Sequence, residues 1–139
     1  MPIVTPSFHF DGHCEEAIEM YQKAFGARVT ILLRYSEADQ KDYDKMLTNE
    51  QNNMVYHSEI MIGEQRIMLA DSFDEPLTKS VSQFLTITFD TPEEVKLAFH
   101  IMEEGATIIH PLHSTTYSSC MASLIDKFGF RWGLMTETP

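Results

Sequence analysis

The chain has 139 residues, 43% of them hydrophobic, which suits one domain with one real core. Its formal charge of −11, from 21 acidic against 10 basic side chains with no Lys/Arg cluster, argues against nucleic acid as a partner. No run of about 18 apolar residues could span a bilayer, the start Met1-Pro2-Ile3-Val4 is unlike a signal peptide, and Cys14 and Cys120 fit neither a disulfide framework nor a zinc ribbon, so a cytoplasmic protein with reduced thiols is expected.

In chain order, strand signals run from Ile3 to Phe10 and from Arg28 to Tyr35. Between them Cys14, Ala17, Ile18, Tyr21 and Phe25 repeat at helical spacing, with Glu15 and Glu16 in the first turn and Gly26 as the stop. Residues 36–53 are polar, anchored only by Tyr43, Met46 and Leu47, and read as a long loop with room for one short helix. Such a loop either covers a binding site or is a plain surface excursion. Met54 to Ile62 and Gln65 to Asp71 form a hairpin around Gly63-Glu64, the firmest of the turns. The second half predicts strands at Gln83 to Phe89, Thr107 to His113, Tyr117 to Ile125 and Arg131 to Thr136, the last two joined by the turn Asp126-Lys127-Phe128-Gly129. Its helix opens on Thr91 and Pro92, with Glu94 completing a capping box, carries Val95, Ala98, Phe99 and Met102 on one face, and stops at Gly105. Each helix is expected to make about four turns.

The two halves echo each other. Phe10-Asp11 recurs as Phe89-Asp90, and Gly26-Ala27 as Gly105-Ala106, with one offset of 79 residues. Each pair falls at the end of a strand or of a helix, so the chain reads as two homologous units, one about 1–74 and one about 80–139, that need each other to close a core.

The run from Phe10-Asp11-Gly12-His13-Cys14-Glu15-Glu16-Ala17 to Tyr21, then Gly26-Ala27, resembles the opening of the PhnB-like branch of the vicinal oxygen chelate superfamily. His57 to Gly63 followed by Ile67 to Asp71 is similar to that family's central hairpin, Phe89-Asp90-Thr91-Pro92 to Gly105-Ala106 to its second helix unit, and Asp126 to Trp132 to its closing turn and strand. The resemblance implies an α+β fold of two βαβββ modules, forming a curled mixed sheet around a cleft with helices outside. Relatives include glyoxalase I, ring-cleaving dioxygenases, fosfomycin-modifying enzymes and bleomycin-binding proteins, so the fold selects a place for the site and leaves the reaction open. PhnB-like proteins are often labelled ubiquinone-pathway methyltransferases, yet no strand, Gly-rich turn and helix able to hold a methyl donor's nucleotide is visible. The resemblance also implies a homodimer.

Metal-dependent relatives bind their ion through four side chains, and by similarity these positions fall near Thr5, Glu59, Phe84 and Gly133. Only Glu59 is an ordinary ligand, so no metal and no other cofactor is expected, although weak divalent binding stays open. His57 and Glu59, two apart on a strand, face one side of the sheet. They fit a contact to a polar ligand, a base at Glu59 with His57 tuning it, or simply a hydrogen-bonded pair. Thr5, Ser7 and His9 share a phase on the first strand, Phe84, Thr86 and Thr88 on the fifth, and Arg131 shares that of Gly133; these seven are the expected ligand-cleft residues. The Arg131 guanidinium could meet an anionic group or stay solvated. His110 and His113, three apart in a strand, are expected on opposite faces. Cys120 has no base beside it in the sequence and reads as an inert thiol. The leading expectation is a metal-free protein binding a small metabolite or xenobiotic, without membrane contact. The rivals are a glyoxalase-like or dioxygenase-like enzyme with a rearranged metal site, and an interaction module without a small ligand.

Overall fold

A computed structural model describes residues 1–39, 46–73, 77–78 and 80–137. Tyr43, one expected anchor of the long loop, and position 74, the expected end of the first module, lie outside them.

The chain divides into two compact units, residues 1–22 with 26–77, and residues 23–25 with 78–139. The first holds β1 (Ser7–Phe10), most of α1 (Cys14–Phe25), β2 (Arg28–Arg34), α2 (Asn49–Asn53), β3 (Val55–Ile62) and β4 (Gln65–Asp71). The second holds β5 (Leu85–Phe89), α3 (Pro92–Met102), β6 (Thr107–His113), β7 (Met121–Ile125) and β8 (Arg131–Thr136). Each unit forms a four-stranded mixed sheet, ordered β1-β4-β3-β2 in one and β5-β8-β7-β6 in the other. β1 pairs with β4, and β5 with β8, in parallel; the remaining pairs are antiparallel. This is the βαβββ arrangement, made twice.

Pattern explains the registers. Gly63, at φ 58°, turns β3 into β4 so that Ile62 faces Gln65 and Glu59 faces Met68. Alternation then buries Ser58, Ile60, Ile67, Leu69 and Phe10, and leaves the other face to Glu59, Met61, Arg66 and Met68. In the second unit Ala122, Leu124, Trp132 and Leu134 are buried in the same way, under α3 with its buried Val95, Ala98 and Met102.

Several strands are shorter than their patterns. β1 starts at Ser7, because Pro6 has no N–H to donate and contributes only its carbonyl, to Met68 N. β7 starts at Met121, because the backbone from Thr115 to Ser118 closes a turn, with Thr115 N donating to Ser118 O at 2.8 Å. The stretch read as a long loop opens on a 3₁₀ turn at Tyr35–Glu37, and among its described residues holds α2, capped by Thr48. The main helices fall short of four turns, at 12 and 11 residues. Thr91 Oγ1 caps α3 by accepting from Glu94 N at 3.3 Å; its hydroxyl also donates to the Glu94 carboxylate at 3.0 Å, so Glu94 binds the cap's side chain.

Candidate functional site

In the first sheet the outward row Ser7, Met68, Glu59 and Ile31 crosses all four strands, and the next row includes His9 beside Ala70 and Leu33 beside His57. Three expected site residues come together here, joined by one the sequence reading passed over. His57 Nε2 and Glu59 Oε2 are 2.8 Å apart. Arg66 Nη1 donates to Glu59 Oε1 at 3.5 Å, and Arg66 Nη2 to Thr5 Oγ1 at 3.3 Å. The result is a chain of polar groups, Thr5, Arg66, Glu59 and His57, running from the segment before β1 over β4 to β3. Arg66 was legible in principle, since a two-residue hairpin puts it diagonally across from Glu59 on the same face.

The Glu59 side chain is 14% exposed, and it is flanked by His57 at 35% and Arg66 at 42%. A carboxylate only accepts, so His57 donates its Nε2–H, and in the neutral ring Nδ1 carries the lone pair. That fixes one tautomer. Met61 and Met68 add adaptable apolar surface on the same face. Ser7 donates from Oγ to the Thr5 carbonyl at 3.5 Å, and His9 lies on the β1 row beside Ala70.

The second-sheet candidates assemble separately. The Arg131 guanidinium carbon lies 4.0 Å from the Phe84 ring centroid. Its Nε donates to Ser123 Oγ at 3.3 Å and its Nη1 to the Val81 carbonyl at 2.9 Å. Two of its donors are thus committed to the chain's own oxygens. Thr86 Oγ1 sits 2.9 Å from where a Cβ at position 133 would be, so Gly133 is what lets β5 and β8 approach here. Thr88 shares the exposed phase of Thr86.

The registers also test the family's metal positions. Thr5 and Phe84 correspond across the repeat. Gly133 faces Thr86 as Met68 faces Ser7, so the counterpart of Gly133 is Met68, on β4, and that of Glu59 is Ser123. The four positions become Thr5, Met68, Phe84 and Gly133, a set with no imidazole, thiolate or carboxylate. These residues do not fit the superfamily's metal. A methyl donor's nucleotide finds no better fit at the N-terminus of α1, because the buried Asp71 carboxylate already accepts there from Cys14 N at 3.0 Å, and from Val55 N at 3.0 Å. Burial pushes the Asp71 carboxyl above its ordinary range, against the pull of those backbone N–H groups.

One expectation is corrected. His110 pairs with Ser123 but His113 with Met121, so three residues of β6 span two of β7. This bulge at Pro111 and Leu112 restores the phase and brings the two histidines to one face, their ring centroids 6.1 Å apart.

The described residues contain no helix long and apolar enough to cross a membrane. Among known proteins the chain is similar to Protein YjdN of Escherichia coli K12, with 26% identity over 95% of this chain and 92% of the other. It is similar in structure to the PhnB protein of Bacillus cereus, at TM-score 0.80 and 26% identity, covering 97% and 99% of the two chains. The fosfomycin resistance protein FosX of Listeria monocytogenes shares the fold at TM-score 0.66 and 11% identity, covering 99% and 94%. A family model described as 3-demethylubiquinone-9 3-methyltransferase matches residues 2–135. With a match over nearly its whole length and neighbours of this architecture, the protein belongs to that PhnB-like family of the vicinal oxygen chelate superfamily.

Proposed function

We propose that the protein binds a small metabolite or xenobiotic against the His57–Glu59 face of the first sheet, without a tightly held metal. The observation that carries this reading is the 2.8 Å contact between His57 Nε2 and Glu59 Oε2. The carboxylate orients the ring, and His57 Nδ1 is left to accept a proton or hydrogen bond from a ligand hydroxyl or ammonium. Glu59 is then the orienting group and His57 the acceptor, with Arg66 and Thr5 as further polar contacts and the methionines receiving an apolar body. Ser7 and His9 extend the same face. A homodimer completes it, on the resemblance to relatives that build their sites across a two-fold.

A thermal-shift screen of metabolites, run with and without divalent ions, tests the proposal, because a ligand of the native state raises the melting temperature by mass action. Hits are expected to stabilise the wild type and to lose their effect in Glu59→Gln and His57→Gln. Elemental analysis finding about one zinc, iron, nickel or manganese per chain, lost on replacing either residue, would sink the metal-free reading. Light scattering that returned a monomer mass at micromolar concentration would remove the dimer.

A further inference from the structure

The bulge in β6 creates a pair of imidazoles that the ligand reading does not use. β6 is the edge strand of the second sheet, and His110 and His113 are both exposed on it. Because they oppose Ser123 and Met121, which are two apart on β7, both rings rise from the same face. Their centroids are 6.1 Å apart, with 55° between the ring planes.

A second observation concerns the tautomer. His113 Nδ1 lies 2.7 Å from the Pro111 carbonyl oxygen, which can only accept. The ring therefore donates Nδ1–H, and in its neutral form it presents Nε2 as the lone pair. Metal-binding histidines carry this support: the second ring nitrogen is tied to a carbonyl or carboxylate, which fixes the ring and raises the ligand's basicity.

We propose that His110 and His113 together chelate one late first-row transition ion at the edge of the second sheet, Cu²⁺ most tightly, with solvent completing the coordination. With metal–nitrogen bonds of about 2 Å, two imidazoles on one ion place their centroids about 4.5 to 5.5 Å apart for bond angles of about 90 to 120°. The observed separation needs closing by roughly 1 Å, which side-chain rotation on an exposed strand supplies. Imidazole suits copper, nickel and zinc, and at a site with few geometric constraints the order follows Cu²⁺ above Ni²⁺ and Zn²⁺. Met121, paired with His113 across the ladder, carries a thioether that accepts a 3.5 Å hydrogen bond from Tyr117 Oη and is a soft donor on the same face. The site lies outside the His57–Glu59 face and belongs to the second unit alone.

Calorimetric titration of the full chain with Cu²⁺, Ni²⁺ and Mg²⁺ tests this. One Cu²⁺ per chain is expected, Ni²⁺ more weakly, and Mg²⁺ not at all. His110→Gln and His113→Gln are each expected to weaken Cu²⁺ binding at least 10-fold, and His57→Gln to leave it unchanged. Electron paramagnetic resonance of the copper form should show coupling to two nitrogens that falls to one in either variant. Both positions are exposed, so circular dichroism should show the variants folded. If the folded double variant bound Cu²⁺ as the wild type does, or if His57→Gln abolished binding, the proposal would fail.

Discussion

The two sheets have one topology and opposite habits. Facing their helices they agree: Ile60 and Leu69 of the first correspond to Leu124 and Leu134 of the second, all fully or nearly fully buried. On the other face they diverge. The row Ser7, Met68, Glu59 and Ile31 has its charge in the middle of the sheet, whereas its counterpart, Thr86, Gly133, Ser123 and His110, has small residues in the middle and an imidazole at the edge. The face that closes the core is constrained by packing density, and the other only by whatever it meets. A duplicated fold can therefore keep its architecture while its two faces take up different chemistry.

The comparison breaks most easily at the cores. Trp132 is fully buried, packs tilted against the Phe25 ring with centroids 4.8 Å apart, and donates Nε1–H to Asp126 at 2.9 Å. Trp132→Ala is expected to cost about 3 to 5 kcal/mol by urea unfolding, against about 2 to 5 kcal/mol for Ile67→Ala at the corresponding place in the first sheet. A loss below about 1 kcal/mol at Trp132 would show that the second core is not built around it. Because Phe25, at the end of α1, packs with Trp132 and with Phe89 at 6.4 Å, residues 78–139 expressed alone are expected not to unfold cooperatively.

Each unit also relies on one buried aspartate, placed differently. Asp71 holds the backbone N–H groups of Cys14 and Val55, and Asp126 those of Phe128 and Phe130 together with the indole. Removing either carboxylate strands at least two buried donors, at about 1 to 3 kcal/mol each. Asp71→Ala and Asp126→Ala should each lose about 2 to 5 kcal/mol in the same assay. Near-neutral behaviour of either would mean that water replaces the carboxylate.

The thiol of Cys14 sharpens the first unit alone. Burial, and next the Asp71 charge, push it from an ordinary 9.0 up to about 12. A folded value above the unfolded one stabilises the protein fully below about 9, and that contribution is lost as pH rises toward 12. Wild-type stability should fall between pH 9 and 11 more steeply than that of Cys14→Ala. Equal slopes would refute the coupling. In the native protein at pH 8, iodoacetamide should label Cys14 only as fast as the fold opens.

Local signals account for what the sequence reading found: apolar spacing for α1 and α3, Gly63 and Gly129 for the hairpins, period two for Glu59 with His57. What it missed is non-local. The cap of α1 comes from Asp71, 57 residues beyond Cys14, rather than from His13. Arg66 finds Thr5 across 61 residues, a contact fixed only once β1 pairs with β4. The histidine pair was misjudged because alternation was carried through a proline-containing bulge, where one residue drops out of the count. The correspondence of Glu59 with Ser123, and of Met68 with Gly133, likewise follows only from the pairing.

The smallest expected effect is the one most specific to the proposed function. Glu59 contacts two partners, but His57 and Arg66 are about a third or more exposed, so solvent screens both pairs. Glu59→Gln keeps the shape and an acceptor oxygen, and should change unfolding free energy by less than about 1 kcal/mol. A double-mutant cycle with Arg66→Gln should likewise give a coupling of about 0.2 to 1 kcal/mol. Ligand binding should respond far more, because an amide no longer holds the His57 ring as a carboxylate does, and Nδ1 loses its fixed role as acceptor. A Glu59→Gln protein that was strongly destabilised yet bound the wild-type's ligands unchanged would reverse this assignment, making the His57–Glu59 pair a structural tie and leaving the second sheet as the better place to look for function.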